Sequence, residues 1–436
     1  MGVKAPRGTE DLLGESAIAW EKMQATAKDV FSRYGYSLVS TPMFEEQSVF
    51  VRGIGEGTDV VDKEMFHVLS NDAFDKVSHG ETLKSNQNLS LRPEGTAGVV
   101  RCAIEHNLVP QGGPVSKLMY AGSMFRCERP QKGRLREFHQ IGAECLGAED
   151  PSADAEMIIM LLRFFEAMGV RSDNIRVLIN SMGDDNCRPA YRDMIRDYIH
   201  EHSDELCEDC NRRAEINPLR AFDCKVEHDA EVMSKAPKIS DHLCGDCREH
   251  YETVKRYLDL AGVSYVEDPR LVRGLDYYTR TVFEIQVIDG LGSQNAIGGG
   301  GRYDKLMEVM GGSPTPGIGF ALGYERTLLA LEAAGVTFEA DSLCDVYVAV
   351  VDKSCADIAF SIVQRLRDSG VKAEQDHQGR SLKSQFKQAG KSGCKLTVVV
   401  GPDEVSSGNV TLRKMDLHEE SKVSIDSVVD EVKSIL

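Results

Sequence analysis

The chain has 436 residues and a net charge of −18, the size and balance of a soluble globular protein with two or three domains. No apolar run approaches the roughly 18 residues that span a bilayer, and the N-terminal MGVKAPRGTEDLLGE has no apolar signal core, so no membrane association and a cytoplasmic location are expected. The acidic total excludes a globally basic nucleic-acid binder, leaving any RNA contact to local cationic patches, and twelve cysteines without a secretory signal argue for thiols or metal ligation instead of disulfides.

In chain order, GYSLVSTP at 35–42 reads as a strand ended by proline, and VRGIGEGTDVVD at 51–62 as a glycine-rich loop able to close on a ligand. In LRPEGTAGVV, 91–100, Glu94 follows Pro93 and enters the first turn of a helix suggested by Ala97 to Ile104. The apolar run 118–125 is a strand; a polar segment with Pro130 and Gly133 follows, and then a second, half-buried strand. Arg126, Arg129, Lys132, Arg134 and Arg136 crowd that segment against Glu128 and Glu137, forming a mobile cationic finger. Strand alternation puts Gln140, Gly142 and Glu144 on one face and Ile141, Ala143 and Cys145 on the other. An acid and an amide therefore look into one side of a sheet beside a row of arginines, whose planar donor forks suit polyphosphate. The plainer alternative is a solvated charged hairpin.

Further on, 156–168 has helical periodicity, and 175–180 and 281–287 read as strands. Between them lies a helical insertion, 184–262, with apolar stripes through Tyr191, Met194, Ile195, Tyr198 and Ile199 and through Tyr251, Val254, Leu258 and Ala261. It contains C-x₂-C-x₃₃-C-x₂-C, formed by Cys207, Cys210, Cys244 and Cys247. Two such pairs can close a structural zinc site of four thiolates, with Cys187 and Cys224 nearby as substitutes; the alternative is free thiols. GGGGRY at 298–303 lacks the Lys-Ser/Thr of a P-loop and reads as a close strand approach. A linker at 331–342 leads to 343–436, where alternating strands and helices imply an α/β unit with a largely parallel sheet. Within it Arg380, Lys383, Lys387, Lys391 and Lys395 are spaced for one helical face.

FRCERPQKGRLREFHQIGAE at 125–144 resembles motif 2 of the class II aminoacyl-tRNA synthetases, GIGFALGYERTLL at 317–329 resembles their motif 3, and 35–42 their motif 1. LVRGLDYYTRTVFE at 271–284, GGGGRYDKL and RGTED at 7–11 are similar to the signatures of histidyl-tRNA synthetase, of bacterial type. The resemblance implies an α+β catalytic domain with a mixed, mostly antiparallel sheet over 1–330, interrupted by the insertion, then an α/β anticodon-binding domain. It implies ATP-dependent ligation of L-histidine to histidine tRNA through histidyl-adenylate, in a homodimer, with Mg²⁺ accompanying ATP.

The resemblance further assigns Arg126 and Arg273 to catalysis, and Arg126, Glu128, Arg134 and Arg326 to ATP. Glu144 and Tyr278 are placed against the imidazole nitrogens, Tyr277 and Tyr303 along the pocket, and Glu94, Thr96 and Gln140 at the substrate ammonium. Gln131 and Lys132 face the tRNA acceptor end, while the tRNA body falls to Arg380, Lys383 and Lys387. Read from the residues alone, the tyrosines could be core and Arg273 could pair with Asp276. A second reading, from another functional class, is a catalytically silent paralogue acting as regulatory subunit of an ATP phosphoribosyltransferase. Retention of Arg126, Arg273, Arg326, Glu94, Gln140 and Glu144 argues for the enzyme.

Overall fold

The computed structural model describes residues 2–55, 58–224, 226–272, 277–292, 295–338 and 344–436. They form two compact units, Met1–Phe338 and Glu339–Leu436. In the first, β1 (Ser37–Leu38), β2 (Phe44–Glu46), β3 (His67–Val68) and β4 (Leu89–Leu91) are short. The longer strands are β5 (Ser116–Phe125), β6 (Glu137–Leu146), β7 (Ile175–Ser181), β9 (Thr279–Val287), β10 (Ala296–Arg302) and β11 (Gly317–Gly323), with a short β8 (Val266–Glu267) between β7 and β9. Eight strands make one sheet in the order β1-β5-β6-β11-β10-β9-β7-β8, and β2-β4-β3 make a small second one. In the large sheet only the edge pairs β1–β5 and β7–β8 are parallel; the pairings between them are antiparallel. The mixed, mostly antiparallel sheet is thus as expected.

One face of this sheet is a dry core and the other is the site, and strand periodicity decides which residue goes where. Ile141, Ala143 and Cys145 on β6, Phe283, Ile285 and Val287 on β9, and Ile318, Phe320 and Leu322 on β11 enter the main core. There they meet the helices Glu15–Ser32, Pro151–Ala167 and Tyr324–Ala333. The second of these starts where its sequence says it should. Asp150 accepts a hydrogen bond from the Ser152 amide (2.8 Å) and Pro151 opens the first turn. Each fully buried phenylalanine in this layer, such as Phe164, Phe165 or Phe283, contributes about 1.5–3 kcal/mol by leaving water. On β11 the positions between the core residues are Gly317, Gly319, Ala321 and Gly323, so the opposite face is nearly bare of side chains.

The insertion has its own small core, built from Tyr191, Ile195 and Ile199 of the helix Arg188–Glu201 together with Ala214, Leu219, Val232 and Ile239. Its last helix, Gly245–Leu260, belongs to two cores. Cys247 packs in the insertion, whereas Tyr251, Val254 and Leu258 pack in the main core. The four-thiolate set expected from Cys207, Cys210, Cys244 and Cys247 does not assemble. Each pair opens a different helix, Glu208–Ile216 or Gly245–Leu260, and each gathers its own neighbours. Cys207 and Cys210 meet Cys224 and Asp229, while Cys244 and Cys247 meet Asp184 and Cys187.

The second unit holds β12 (Val346–Val350), β13 (Ala373–Gln375), β14 (Leu396–Val400), β15 (Asn409–Lys414) and β16 (Glu420–Ser424), ordered β13-β12-β14-β15-β16. The expected largely parallel sheet is mixed, because only β13-β12-β14 are parallel and the last two strands pair antiparallel. The link between β14 and β15 carries one short helix, Pro402–Ser406, too little for the crossover that parallel strands require. Val346 and Val348 face the helix Ala356–Asp368, and Tyr347 and Ala349 the opposite side. Disulfides were not expected, yet Cys344 and Cys394 form one here, with Cα atoms 5.1 Å apart. The five-residue basic face is also reduced. The helix spans Leu382–Lys391 and presents Lys383, Lys387 and Lys391 to solvent, while Arg380 precedes it, half-buried beside Asp376 (3.7 Å), and Lys395 follows it. Among the described residues no helix is long and apolar enough to cross a membrane.

Candidate active site

The bare face of β11 leaves room for a cluster of buried polar groups. Glu144, on β6, is fully buried. Its carboxylate accepts hydrogen bonds from Thr96 Oγ1 (2.7 Å) and from the Tyr303 hydroxyl. A Cβ on Gly319 would stand 1.7 Å from Glu144 Oε2, and one on Gly317 2.3 Å from the Tyr303 ring, so the glycines of β11 hold the space these side chains fill. Burial pushes the Glu144 carboxyl up to about 8, against the pull of the Tyr303 and Thr96 hydroxyls. The Tyr277 ring lies 4.6 Å from that of Tyr278 and meets Tyr303 edge-on at 5.7 Å. Glu94 points both oxygens at the start of the helix Thr96–Glu105, accepting from the amides of Thr96 (2.7 Å) and Ala97 (2.8 Å). It therefore fixes the helix that delivers Thr96, and burial raises its carboxyl above the usual range.

The structure thus brings Glu94, Thr96, Glu144, Tyr277, Tyr278 and Tyr303 together. Sequence reasoning missed Tyr120. Its ring lies between Gly95 and Gly142, where added Cβ atoms would come within 2.2 and 2.3 Å of it, and its buried hydroxyl lies beside the Glu144 and Thr96 side chains. Gln140 Oε1 is buried and meets no hydrogen-bond partner among the described residues. Buried polar atoms are nearly always satisfied, so the orphaned Gln140 oxygen marks a place for a polar ligand. The signal for Tyr120 was present in the alternation of β5, two residues before Gly122, but nothing in the sequence alone separated it from a core tyrosine.

Next to this pocket, and sharing Gln140 with it, is a cavity of about 380 Å³ lined by Arg126, Glu128, Arg134, Phe138, Glu284 and Arg326, among others. Arg126 is aimed by its neighbours. Its Nε donates to the Pro93 carbonyl (2.9 Å) and its guanidinium lies 5.3 Å over the Phe138 ring. Arg134 pairs with Glu128 (3.0 Å). For Arg126 and Arg326, no carboxylate partner is found among the described residues. Burial, reinforced by Arg134, lowers the pKa of Arg326. Two cationic forks that no carboxylate directly pairs, bordering one cavity, suit a polyanion. Glu284 and Phe138 were not singled out from the sequence; the register that turns Glu284 away from the core is a tertiary fact.

The cationic finger is tied at its base. The amide of Arg126 donates to the Arg136 carbonyl (2.8 Å), that of Cys127 to Glu64 (2.6 Å) and that of Arg136 to Gly8 (2.7 Å). Gln131 and Lys132, at its exposed tip, line a different cavity of about 410 Å³ with Glu10, Asp11 and Glu137. The glycine-rich stretch 51–62 is helical on both sides, in Gln47–Ile54 and a π-helical turn at Val60–Glu64, and Val60 reaches the arginine cavity. Arg273 lies outside the described residues, so its catalytic assignment has no geometry here.

Behind the pocket wall, Arg302 and Asp154 form a fully buried pair. Asp154 also accepts from Thr281 Oγ1 (2.6 Å) and lies 2.6 Å from His250 Nε2, while Arg302 donates to the Ala148 carbonyl (2.8 Å). The network ties β9, β10 and two helices together one residue from Tyr303.

The histidyl-tRNA synthetase family matches residues 8–327, and the anticodon binding domain matches 345–435. The histidine–tRNA ligase of Halothermothrix orenii is 44% identical over 436 residues, covering all of both chains, and that of Streptomyces avermitilis is 44% identical over 433 residues, 99% of each. Among solved structures, the apo S. aureus histidyl-tRNA synthetase superposes with a TM-score of 0.81 at 33% identity, covering 99% of this chain and 100% of that one. An ATP phosphoribosyltransferase regulatory subunit/histidyl-tRNA synthetase from Bacillus halodurans C shares the fold at 20% identity, with a TM-score of 0.62 over 91% of this chain and 97% of its own.

Proposed function

Because the chain belongs to the histidyl-tRNA synthetase family, we propose that the arginine cavity and the buried tyrosine pocket are the ATP and histidine subsites of one active centre. The activity is ATP-dependent ligation of L-histidine to histidine tRNA through histidyl-adenylate, with release of pyrophosphate and AMP. Identity of 42–44% to ligases over nearly the full chain disfavours the silent regulatory paralogue. The observation that carries the proposal is the adjacency of two unlike sites on one sheet face. Arg126 and Arg326 border the cavity with no carboxylate in ion-pair contact among the described residues, and Gln140 leads from it to Glu144 along the same side of β6.

Adenylation needs the histidine carboxylate in line with the α-phosphorus, and charge on the phosphate neutralised as it grows. Arg126, fixed by Pro93 and Phe138, is suited to the α-phosphate, Arg326 to the far end of the triphosphate, and Arg273 to a second catalytic cation. Glu128 and Arg134 complete the ATP side. The oxygen donors Glu128 and Glu284 in the same cavity fit a hard cation, and Mg²⁺ bound with ATP would supply charge neutralisation there. In the pocket, Glu144 and Tyr278 pair with the imidazole nitrogens, Tyr277, Tyr303 and Tyr120 enclose the ring, and Thr96 and Gln140 with Glu94 take the ammonium. A site built to bond both ring nitrogens rejects side chains that leave its own groups unpaired.

Histidine-dependent exchange of pyrophosphate into ATP, without tRNA, tests the assignment. Arg126→Ala and Arg273→Ala are each expected to lower the exchange rate on the order of 10²–10³-fold, with histidine binding retained. Wild-type rates in both variants would sink it.

The second step places the tRNA acceptor end at the tip of the finger, where Gln131 and Lys132 stand, and tRNA also meets Lys383 and Lys387. Arg380 contributes less, being engaged by Asp376. Replacing Lys383, Lys387 and Lys391 together by alanine should flatten the log–log salt dependence of tRNA binding by up to about one unit for each phosphate that the helix neutralises; an unchanged slope removes the helix from the interface. We also infer a homodimer, supported by the exposed apolar Leu38, Met43 and Phe44 around motif 1, and light scattering reads its mass directly; a cytoplasmic location is the expectation for this family.

A further inference from the structure

The insertion contains two clusters of the same composition, and ligation does not use either. In one, Cys207, Cys210, Cys224 and Asp229 bring one ligand atom each to within 4.8 Å of all the others; in the second, Asp184, Cys187, Cys244 and Cys247 do the same. We propose that these are two separate structural zinc sites, each of three thiolates and one carboxylate.

The distances carry the argument. Zinc about 2.3 Å from sulfur and about 2.0–2.2 Å from oxygen sets tetrahedral edges of about 3.5–3.8 Å. Cys207 Sγ and Cys224 Sγ are 3.9 Å apart, and Cys224 Sγ is 3.4 Å from Asp229 Oδ2. In the second cluster Asp184 Oδ1 is 3.6 Å from Cys187 Sγ and 3.7 Å from Cys244 Sγ. Sulfurs this close are too far apart for a disulfide and already spaced around a common centre.

The local structure repeats as well. Cys207 and Cys244 are the residues before the helices Glu208–Ile216 and Gly245–Leu260, and Cys210 and Cys247 sit in the first turn, buried. Both carboxylates are held in place by further bonds. Asp229 Oδ2 accepts from the Cys207 amide (3.1 Å), and Asp184 Oδ1 from the Asn186 amide (2.9 Å), with Arg280 3.6 Å from its other oxygen. Finally, Cys187, Cys210 and Cys247 are themselves members of the insertion's small core, where metal cross-links stabilise what apolar burial alone holds weakly. Binding exchanges three S–H protons, released to solvent, for three Zn–S bonds at each site.

The test is elemental analysis of the full chain, purified reduced and without chelator, together with X-ray absorption at the zinc edge. Two zinc ions per chain, in an average environment of three sulfurs and one oxygen, are expected. Cys224→Ser combined with Asp229→Ala should leave one zinc, as should Cys187→Ser combined with Asp184→Ala. Fewer than two zinc ions in the wild-type chain overturns the proposal. So does a four-sulfur environment, which would join Cys207, Cys210, Cys244 and Cys247 around one ion. Where a double variant fails to fold, the wild-type stoichiometry and coordination decide alone.

Discussion

Asp154→Ala is expected to destabilise the N-terminal unit by about 3–5 kcal/mol, because it strands the fully buried Arg302 guanidinium in a medium that penalises an uncompensated charge. Burial raises the Asp154 carboxyl, but Arg302 and His250 outweigh it and hold the group below the usual carboxylate range. A carboxylate with a depressed folded value stabilises the fold above its unfolded-state pKa, about 4, and loses that contribution as pH falls through the folded value. Asp154→Asn should accordingly be less stable than wild type at neutral pH and less sensitive to acid below about pH 4. Calorimetric scans of the full chain across pH read both effects. A shift of less than about 1 kcal/mol at neutral pH would show that the pair is replaceable.

A single methyl group is expected to cost as much activity as the loss of a catalytic arginine. Gly319→Ala places a Cβ 1.7 Å from Glu144 Oε2 and 2.8 Å from the Ala143 carbonyl, which cannot yield within the sheet, so the Glu144 side chain must leave its position. Histidine-dependent exchange should fall about 10²–10³-fold, the range expected when a buried charged hydrogen bond to substrate is lost, while ATP binding is retained. Glu144→Gln should reproduce the loss without the steric cause. Because the wild-type carboxyl is raised to about 8, it is largely protonated at pH 7. A raised acid favours the fold at low pH and loses that contribution as pH rises from the unfolded value, about 4, through about 8. An imidazole N–H bonded to the carboxylate therefore expels a proton at pH 7. Calorimetry of histidine binding in buffers of different ionisation enthalpy should show that release in wild type and not in Glu144→Gln. Full activity of Gly319→Ala would remove Glu144 from the pocket.

Much of the site was legible because it is carried by local rules. The alternation of β6 separates Gln140 and Glu144 from Ile141, Ala143 and Cys145 wherever the strand is half-buried. Pro93, Glu94 and the following helix are a cap written in consecutive residues. Other features depended on partners distant in the chain. Tyr120 becomes distinct from a core tyrosine only when Gly142 and Gly95 close on its ring, and Asp154 gains its role from residues more than 90 positions away. The cysteine pairs misled for the same reason. Their spacing is a local signal, but which sulfurs meet depends on how helices pack.

Periodicity, caps and contiguous motifs are encoded residue by residue, and they were enough to set the order of strands and helices, the faces these bury and the family to which the chain belongs. Three outcomes waited on the packed chain: the last two strands of the C-terminal sheet run antiparallel, Cys344 meets Cys394, and four thiolates expected around one centre divide between two clusters with Asp184 and Asp229. Those outcomes rest on which surfaces lie against each other after chain reversal, and a linear pattern carries little information about contacts whose cost is the closure of long loops.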